Sequence, residues 1–392
     1  MRGLVTVFKK EFRENMRDRR TIMSSLLIGP IAGPFLFVMM MMLITSKQVE
    51  RAESVLELPV FGAENAPNLI AFLEQQGTII KSAPEDPESA VRAKDEDVIV
   101  RIPPNFAEHW QAGQPAPVEI IVDKSRNQVG TTLARVRHLL SSYGQQIGLL
   151  RLQLRGVSPS LTTPLVLKDI DLSTPTSRAG QLLALLPYFL ILTAFIGGMH
   201  LAIDTTAGEK ERRSLEPLLI TPVPRWQIMA GKLATTTLFA FFSLTLTLVA
   251  FRFAMPMIPA DRLGFVIDIT PRMMGSILLV LAPMALTAAA LLTILASFAK
   301  SFREAQSYMG LVVFVPLIPS LYLLASPVKA QTWQMAVPLL SHNVLINELV
   351  RGETVPLSWI GLCVATTLGL GVILATIAAT LYNKPRLVFA GS

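Results

Sequence analysis

Met273-Met274-Gly275-Ser276-Ile277-Leu278-Leu279-Val280-Leu281-Ala282-Pro283-Met284-Ala285-Leu286-Thr287-Ala288-Ala289-Ala290-Leu291-Leu292-Thr293-Ile294-Leu295-Ala296-Ser297-Phe298-Ala299 contains no Asp, Glu, Lys, Arg or His. A helix rises about 1.5 Å per residue, so this run can cross a hydrocarbon layer of roughly 30 Å. Five other runs read alike: Thr21 to Ser46, Ala179 to Ile203 with His200 near its end, Leu233 to Phe251, Ala305 to Val328 and Thr354 to Asn383. In lipid only helices and closed barrels satisfy their own backbone groups, and these long unbroken runs fit helices. The expected fold is a multi-pass α-helical membrane protein with six transmembrane helices, kinked at Pro30, Pro34, Pro187, Pro283, Pro316 and Pro319. A composition of 51% apolar and 16% charged residues lies outside the usual soluble balance.

Charge orients the chain. With the amino terminus inside and six crossings, segments 1–20, 204–232, 300–304 and 384–392 hold 16 Lys and Arg against 8 Asp and Glu. The remainder is nearly balanced, so the net charge of +7 arises on the cytoplasmic face, where both termini are expected. Basic residues interleaved with aromatics are absent from the soluble segments, which argues against nucleic acid. The apolar run after Arg20 is too long for a signal-peptide core and is expected to stay as an anchor. Cys363, the one cysteine, falls inside the sixth run, so neither a disulfide framework nor a metal cluster is expected.

Between the first run (21–46) and the second, residues 47–178 have the composition of a water-soluble domain, which the topology places outside the cytoplasm. Val55 to Phe61, Thr78 to Lys81, Asp97 to Ile102, Pro117 to Val122 and Leu165 to Leu172 read as strands. Pro67 to Gln76, Pro87 to Lys94, Pro104 to Ala112 and a long Asn127 to Arg155 read as helices, the last one divisible at Gly144, Gly148 and Gly156. The alternation predicts a mixed α/β extracytoplasmic domain inserted between the first and second transmembrane helices. His109 and His138 read as helix-surface residues and Asp123 as a turn residue.

Two cytoplasmic elements stand out. Leu4, Phe8, Phe12 and Met16 recur every four residues among seven Lys and Arg, which predicts an amphipathic helix over 1–20, lying in the interface against membrane lipids. The 204–232 segment contains Ala207-Gly208-Glu209-Lys210-Glu211-Arg212-Arg213-Ser214-Leu215-Glu216-Pro217-Leu218-Leu219-Ile220-Thr221-Pro222-Val223-Pro224-Arg225-Trp226-Gln227-Ile228-Met229-Ala230-Gly231-Lys232. It reads as a charged turn, a short helix capped by Ser214, and a helix restarting at Thr221-Pro222.

This segment resembles the signature of type-two ATP-binding-cassette (ABC) exporter permeases, Gly-Glu-Lys-Glu-Arg-Gly-Thr-Leu-Glu-x-Leu-Leu-x-x-Pro-Val-x-Arg-x-x-Ile-x-x-Gly-Lys. Arg213 stands where glycine is common and Ser214 where threonine is. The whole layout is similar to that family, most of all to its NatB-like sodium-efflux branch. The resemblance implies a permease subunit of a bacterial cytoplasmic (inner) membrane exporter, itself no enzyme. It implies a partner ABC ATPase that binds ATP and Mg, and a second copy of the chain or a paralogue. It further implies that Glu209, Glu211, Arg212, Leu215, Glu216, Leu218 and Leu219 meet the ATPase. Segment 326–353, within the five-helix region 179–383, is similar to the family's pair of short re-entrant helices at the outer gate, with Pro338, Asn343, Asn347 and Glu348 as its candidates.

Physical features agree with an external energy source. Gly-x4-Gly-Lys-Ser/Thr is absent, and none of the six runs carries a carboxylate, which a proton- or sodium-driven carrier would usually need. Thr236, Ser243 and Thr247 on the third run are candidates for pathway lining at a seam between two copies. Sodium, lipid, peptide or a hydrophobic drug could each be the substrate, and a receptor sensing a ligand through 47–178 is the alternative from another class.

Overall fold

In a computed structural model of the chain, six helices among the described residues are long and apolar enough to cross a membrane. The structure describes residues 2–126, 129–158, 170, 174, 180, 183–258, 269–325 and 329–382. The helices are span one (Arg19–Lys47), span two (Leu183–Glu211), span three (Arg225–Met257), span four (Pro271–Phe298), span five (Phe302–Ala325) and span six (Leu357–Leu381). The expected strand Leu165 to Leu172, apart from Ile170, and the tail 384–392 lie outside the described residues.

Two compact units divide the chain: Met1–Lys47 with Leu172–Ser392, and Gln48–Asp171. In the first, spans two, three and four form the centre, with Leu190, Phe195, Leu244, Phe251, Leu281 and Met284 in one buried cluster. Spans two and three approach closely because Gly197 and Gly198 carry no side chain. A Cβ on Gly197 would sit 2.4 Å from that of Ser243. The expected kinks divide by position. Pro187 falls in the first turn of its helix, where a missing N–H costs little, and Pro34 and Pro283 lie inside their helices. Near Pro316 span five is interrupted, one helix ending at Val312 and the next starting at Leu317.

Helix α1 (Arg2–Asn15) packs along the first turns of span three, with Val7 against Gly231 and Phe12 edge-on to Phe239 at 6.1 Å. Its buried face is Val7, Glu11 and Asn15, one position off the expected Leu4–Phe8–Phe12 stripe, because bare Gly231 lets Val7 seat against backbone. Asp18 then caps the start of span one, accepting from the N–H groups of Arg20 and Thr21.

The second unit holds strands β1 (Glu57–Phe61), β2 (Ile79–Ser82), β3 (Val98–Arg101) and β4 (Glu119–Val122). Helices α2 (Pro67–Gln75), α3 (Pro87–Ala93), α4 (Phe106–Gln111) and α5 (Gly130–Leu154) complete it. Sheet order is β2-β1-β3-β4, with β1 parallel to β2 and β3, and β3 antiparallel to β4. Helical crossovers α2 and α3 make the parallel pairing possible. Leu58, Val60, Val98, Val100, Leu69, Leu73 and Val136 fill its core. Helix α5 is undivided: Gly144 and Gly148 lie inside it, and Gly156, at φ 71, follows its end. Asp123 accepts from the N–H and hydroxyl of Ser125 and makes the turn after β4.

Candidate functional site

Glu209, Lys210 and Glu211 end span two and Arg212 follows, and each engages a different element. Glu209 accepts from the Lys232 ammonium of span three, which also donates to the Thr205 carbonyl at 2.8 Å and the Tyr382 hydroxyl at 3.3 Å. Lys210 donates to the Ser297 carbonyl at the end of span four. Glu211 accepts from the N–H of Phe302, the first residue of span five, at 2.7 Å. Arg212 turns back to Asp204 of its own span at 2.9 Å, and that bond raises the basicity of its guanidinium. The span ends are gathered on these side chains.

Its centre is dry. Lys232 is 1% exposed and Glu11 of α1 2% exposed. Glu11 interacts electrostatically with Lys232 and, through Lys10 at 3.2 Å, with a surface cation. Burial pushes the Glu11 carboxyl above the ordinary carboxylate range, although both lysines pull it down.

Beyond Arg212 the chain reverses in a Schellman turn. Ser214 N–H reaches the Glu209 carbonyl at 3.0 Å and Arg213 N–H the Lys210 carbonyl at 3.0 Å, with Arg213 left-handed at φ 56. Here the resembled signature has glycine, and arginine adopts the same conformation at a steric cost. Ser214 does not cap as expected: it is already helical, and its hydroxyl donates back to the Glu209 carbonyl. Helix α6 (Leu215–Ile220) follows, with Leu215 buried against Val7, Ile228, Met229 and Tyr382. Pro217 is exposed and Ile220 is 84% exposed. Span three starts at Arg225, after Pro224 and not at Thr221-Pro222, because a residue preceding proline favours extended backbone, which Thr221 adopts at ψ 149.

The expected docking residues differ in exposure. Glu209 and Leu215 are buried in the chain's own packing, whereas Glu211 and Arg212 stay exposed while bonded to the Phe302 N–H and to Asp204. Leu218 is half-buried, Pro217 and Ile220 are exposed, and Glu216 and Leu219 belong to the same short helix. Thr236, Ser243 and Thr247 are buried within the chain rather than on an open seam, with Thr236 and Ser243 packed on the span-two glycines. The hydroxyls of Ser243 and Thr247 find no hydrogen-bond partner among the described residues.

Within 329–353 the chain forms a short 3-10 turn (Thr332–Ala336) and helix α7 (Leu340–Val350), and 326–328 lie outside the described residues. Asn343 is fully buried and accepts from Ser320 of span five at 2.6 Å, while Pro338, Asn347 and Glu348 are half-buried. Burial raises the Glu348 carboxyl above its ordinary range. His342, also fully buried, lies within 3.9 Å of Cys363 on span six.

A family model described as ABC-2 family transporter protein matches residues 24–379. The chain belongs to that family. The ABC transporter permease protein NatB of Bacillus subtilis is 28% identical over 360 residues, covering 89% of this chain and 90% of that protein. A probable multidrug ABC transporter permease of Escherichia coli K12, YbhR, is 20% identical over 253 residues, or 62% and 64% of the two chains. This ABC-2 protein is thus a multi-pass membrane subunit of an ABC transporter.

Sequence reasoning missed Glu11, Lys232, Tyr382 and His342. For Glu11 a signal existed: Val7, Glu11 and Asn15 share one helical stripe, on which a carboxylate needs a buried partner. Lys232 had none, since a lysine at a span end reads equally as snorkelling to water.

Proposed function

We propose that this chain is the permease of an ABC exporter, driven by a separate ATPase subunit that binds ATP and Mg and docks on α6. Exposed Pro217 and Ile220 together, on a short helix beside a segment bonded to the ends of spans three, four and five, are the observation that carries the reading. Such an apolar face can enter an apolar cleft of a partner. In this reading α6 and both termini are cytoplasmic, and the α/β unit lies outside the cytoplasm. Two copies, or one copy and a paralogue, enclose the pathway. Helix α7 with Pro338, Asn343, Asn347 and Glu348 closes its outer end, hinged through Asn343 and Ser320 on the interrupted span five.

Sodium efflux is the substrate reading, supported by the NatB-like layout; lipid, peptide or drug export would use the same coupling. Copurification with an ATPase subunit tests the docking. Ile220→Glu is expected to abolish it without reducing membrane insertion, and undiminished capture by that variant would count against α6 as the contact. ATPase stimulation of the reconstituted complex by sodium, lipids and amphipathic drugs in turn then selects the substrate, with sodium expected to stimulate.

A further inference from the structure

Residues 209, 232 and 382, on three different elements, meet in one buried knot, and buried Glu11 of α1 interacts electrostatically with it. The Lys232 ammonium has three protons, and the Glu209 carboxylate, the Thr205 carbonyl and the Tyr382 hydroxyl are its three hydrogen-bond partners. Glu11 adds a second carboxylate from α1, and Lys10 balances it at the surface. A buried ion pair adds little stability over apolar side chains of the same volume, so stability alone does not account for it; its physical effect is registry. Any slide of α1, span two, span three or Tyr382 past the others would leave a desolvated charge unpaired. Apolar packing follows the same pattern, because Leu215 of α6 sits on Val7, Ile228, Ala378 and Tyr382 together.

We propose that Lys232 is a positioning residue that locks α1, the end of span two and the end of span six into one body, so that displacement of α6 reaches all of them at once. This rests on α6 being the ATPase docking element.

The test is hydrogen exchange, read by mass spectrometry on the full permease–ATPase complex in lipid nanodiscs, with and without Mg-ATP and vanadate. In the wild type, amide protection is expected to change in both Leu215–Ile220 and Arg2–Asn15. The neutral triple variant Glu11→Gln, Glu209→Gln, Lys232→Met leaves no unpaired charge; in it α6 is expected to respond while the α1 response is lost. Lys232→Arg, which keeps the charge, should retain the α1 response, and its loss there would overturn the electrostatic account. Transmission to α1 in the triple variant, or an α1 that never responds in the wild type, would sink the knot while leaving docking intact. A wild-type α6 that does not respond would remove the docking reading and the knot with it.

Discussion

Replacing Lys232 with methionine keeps the length and volume of the side chain and deletes the charge. The ammonium is 1% exposed, and its removal leaves the Glu209 carboxylate, itself 10% exposed, and the Glu11 carboxylate, 2% exposed, without their buried cation, with Lys10 and Arg212 nearer the surface. Breaking a buried pair by removing one partner costs about 3–5 kcal/mol, because an uncompensated charge stays behind. At about 1.4 kcal/mol per tenfold, the lower figure is roughly a hundredfold in the folding equilibrium. The neutral triple variant, with Glu11→Gln and Glu209→Gln added, removes that penalty, so it should recover most of the loss and be more stable than the single variant. Reversible unfolding in mixed micelles, monitored for all three proteins, measures both differences. A single variant within about 1 kcal/mol of wild type, or a triple variant less stable than the single one, would show that the knot is not electrostatically closed.

Arg213→Gly should raise stability by about 0.5–1 kcal/mol, since it relieves a left-handed arginine at φ 56 and the gain exceeds the entropy of the added glycine; the same unfolding assay reads it. Gly197→Val should cost about 1–3 kcal/mol and lower the melting temperature, because its side chain would meet Ser243 across the contact of spans two and three. Asp18→Ala should cost about 1 kcal/mol through loss of the cap on span one. Because the bonds from the Thr21 hydroxyl and from Arg20 and Thr21 N–H hold the Asp18 carboxyl below its ordinary range, its contribution is full above that range and disappears as pH falls through the lowered value. Melting curves of wild type and variant should therefore converge in acid.

Length and polarity alone located the spans, because hydrocarbon thickness is a constraint that each helix meets by itself. The α/β alternation of the second unit was legible for the same local reason: β1 to β4 and α2 to α5 each carry their own periodicity and proline or glycine punctuation. The signature around Glu209 pointed to the family. Which way its charges face was not legible, since Glu209, Lys210 and Glu211 find their partners 23, 87 and 91 residues away. Likewise Ser243 was visible as a polar residue on an apolar helix, but only the glycines of span two decide that it packs inward.

The residues by themselves determined that this chain crosses a membrane, how many helices do so and where charge gathers, because transfer into lipid depends on each segment's own surface. Tertiary structure alone decided that Lys232 is buried and what neutralises it. A desolvated charge is tolerated only where several distant elements converge on it, and such convergence is a property of the packed molecule.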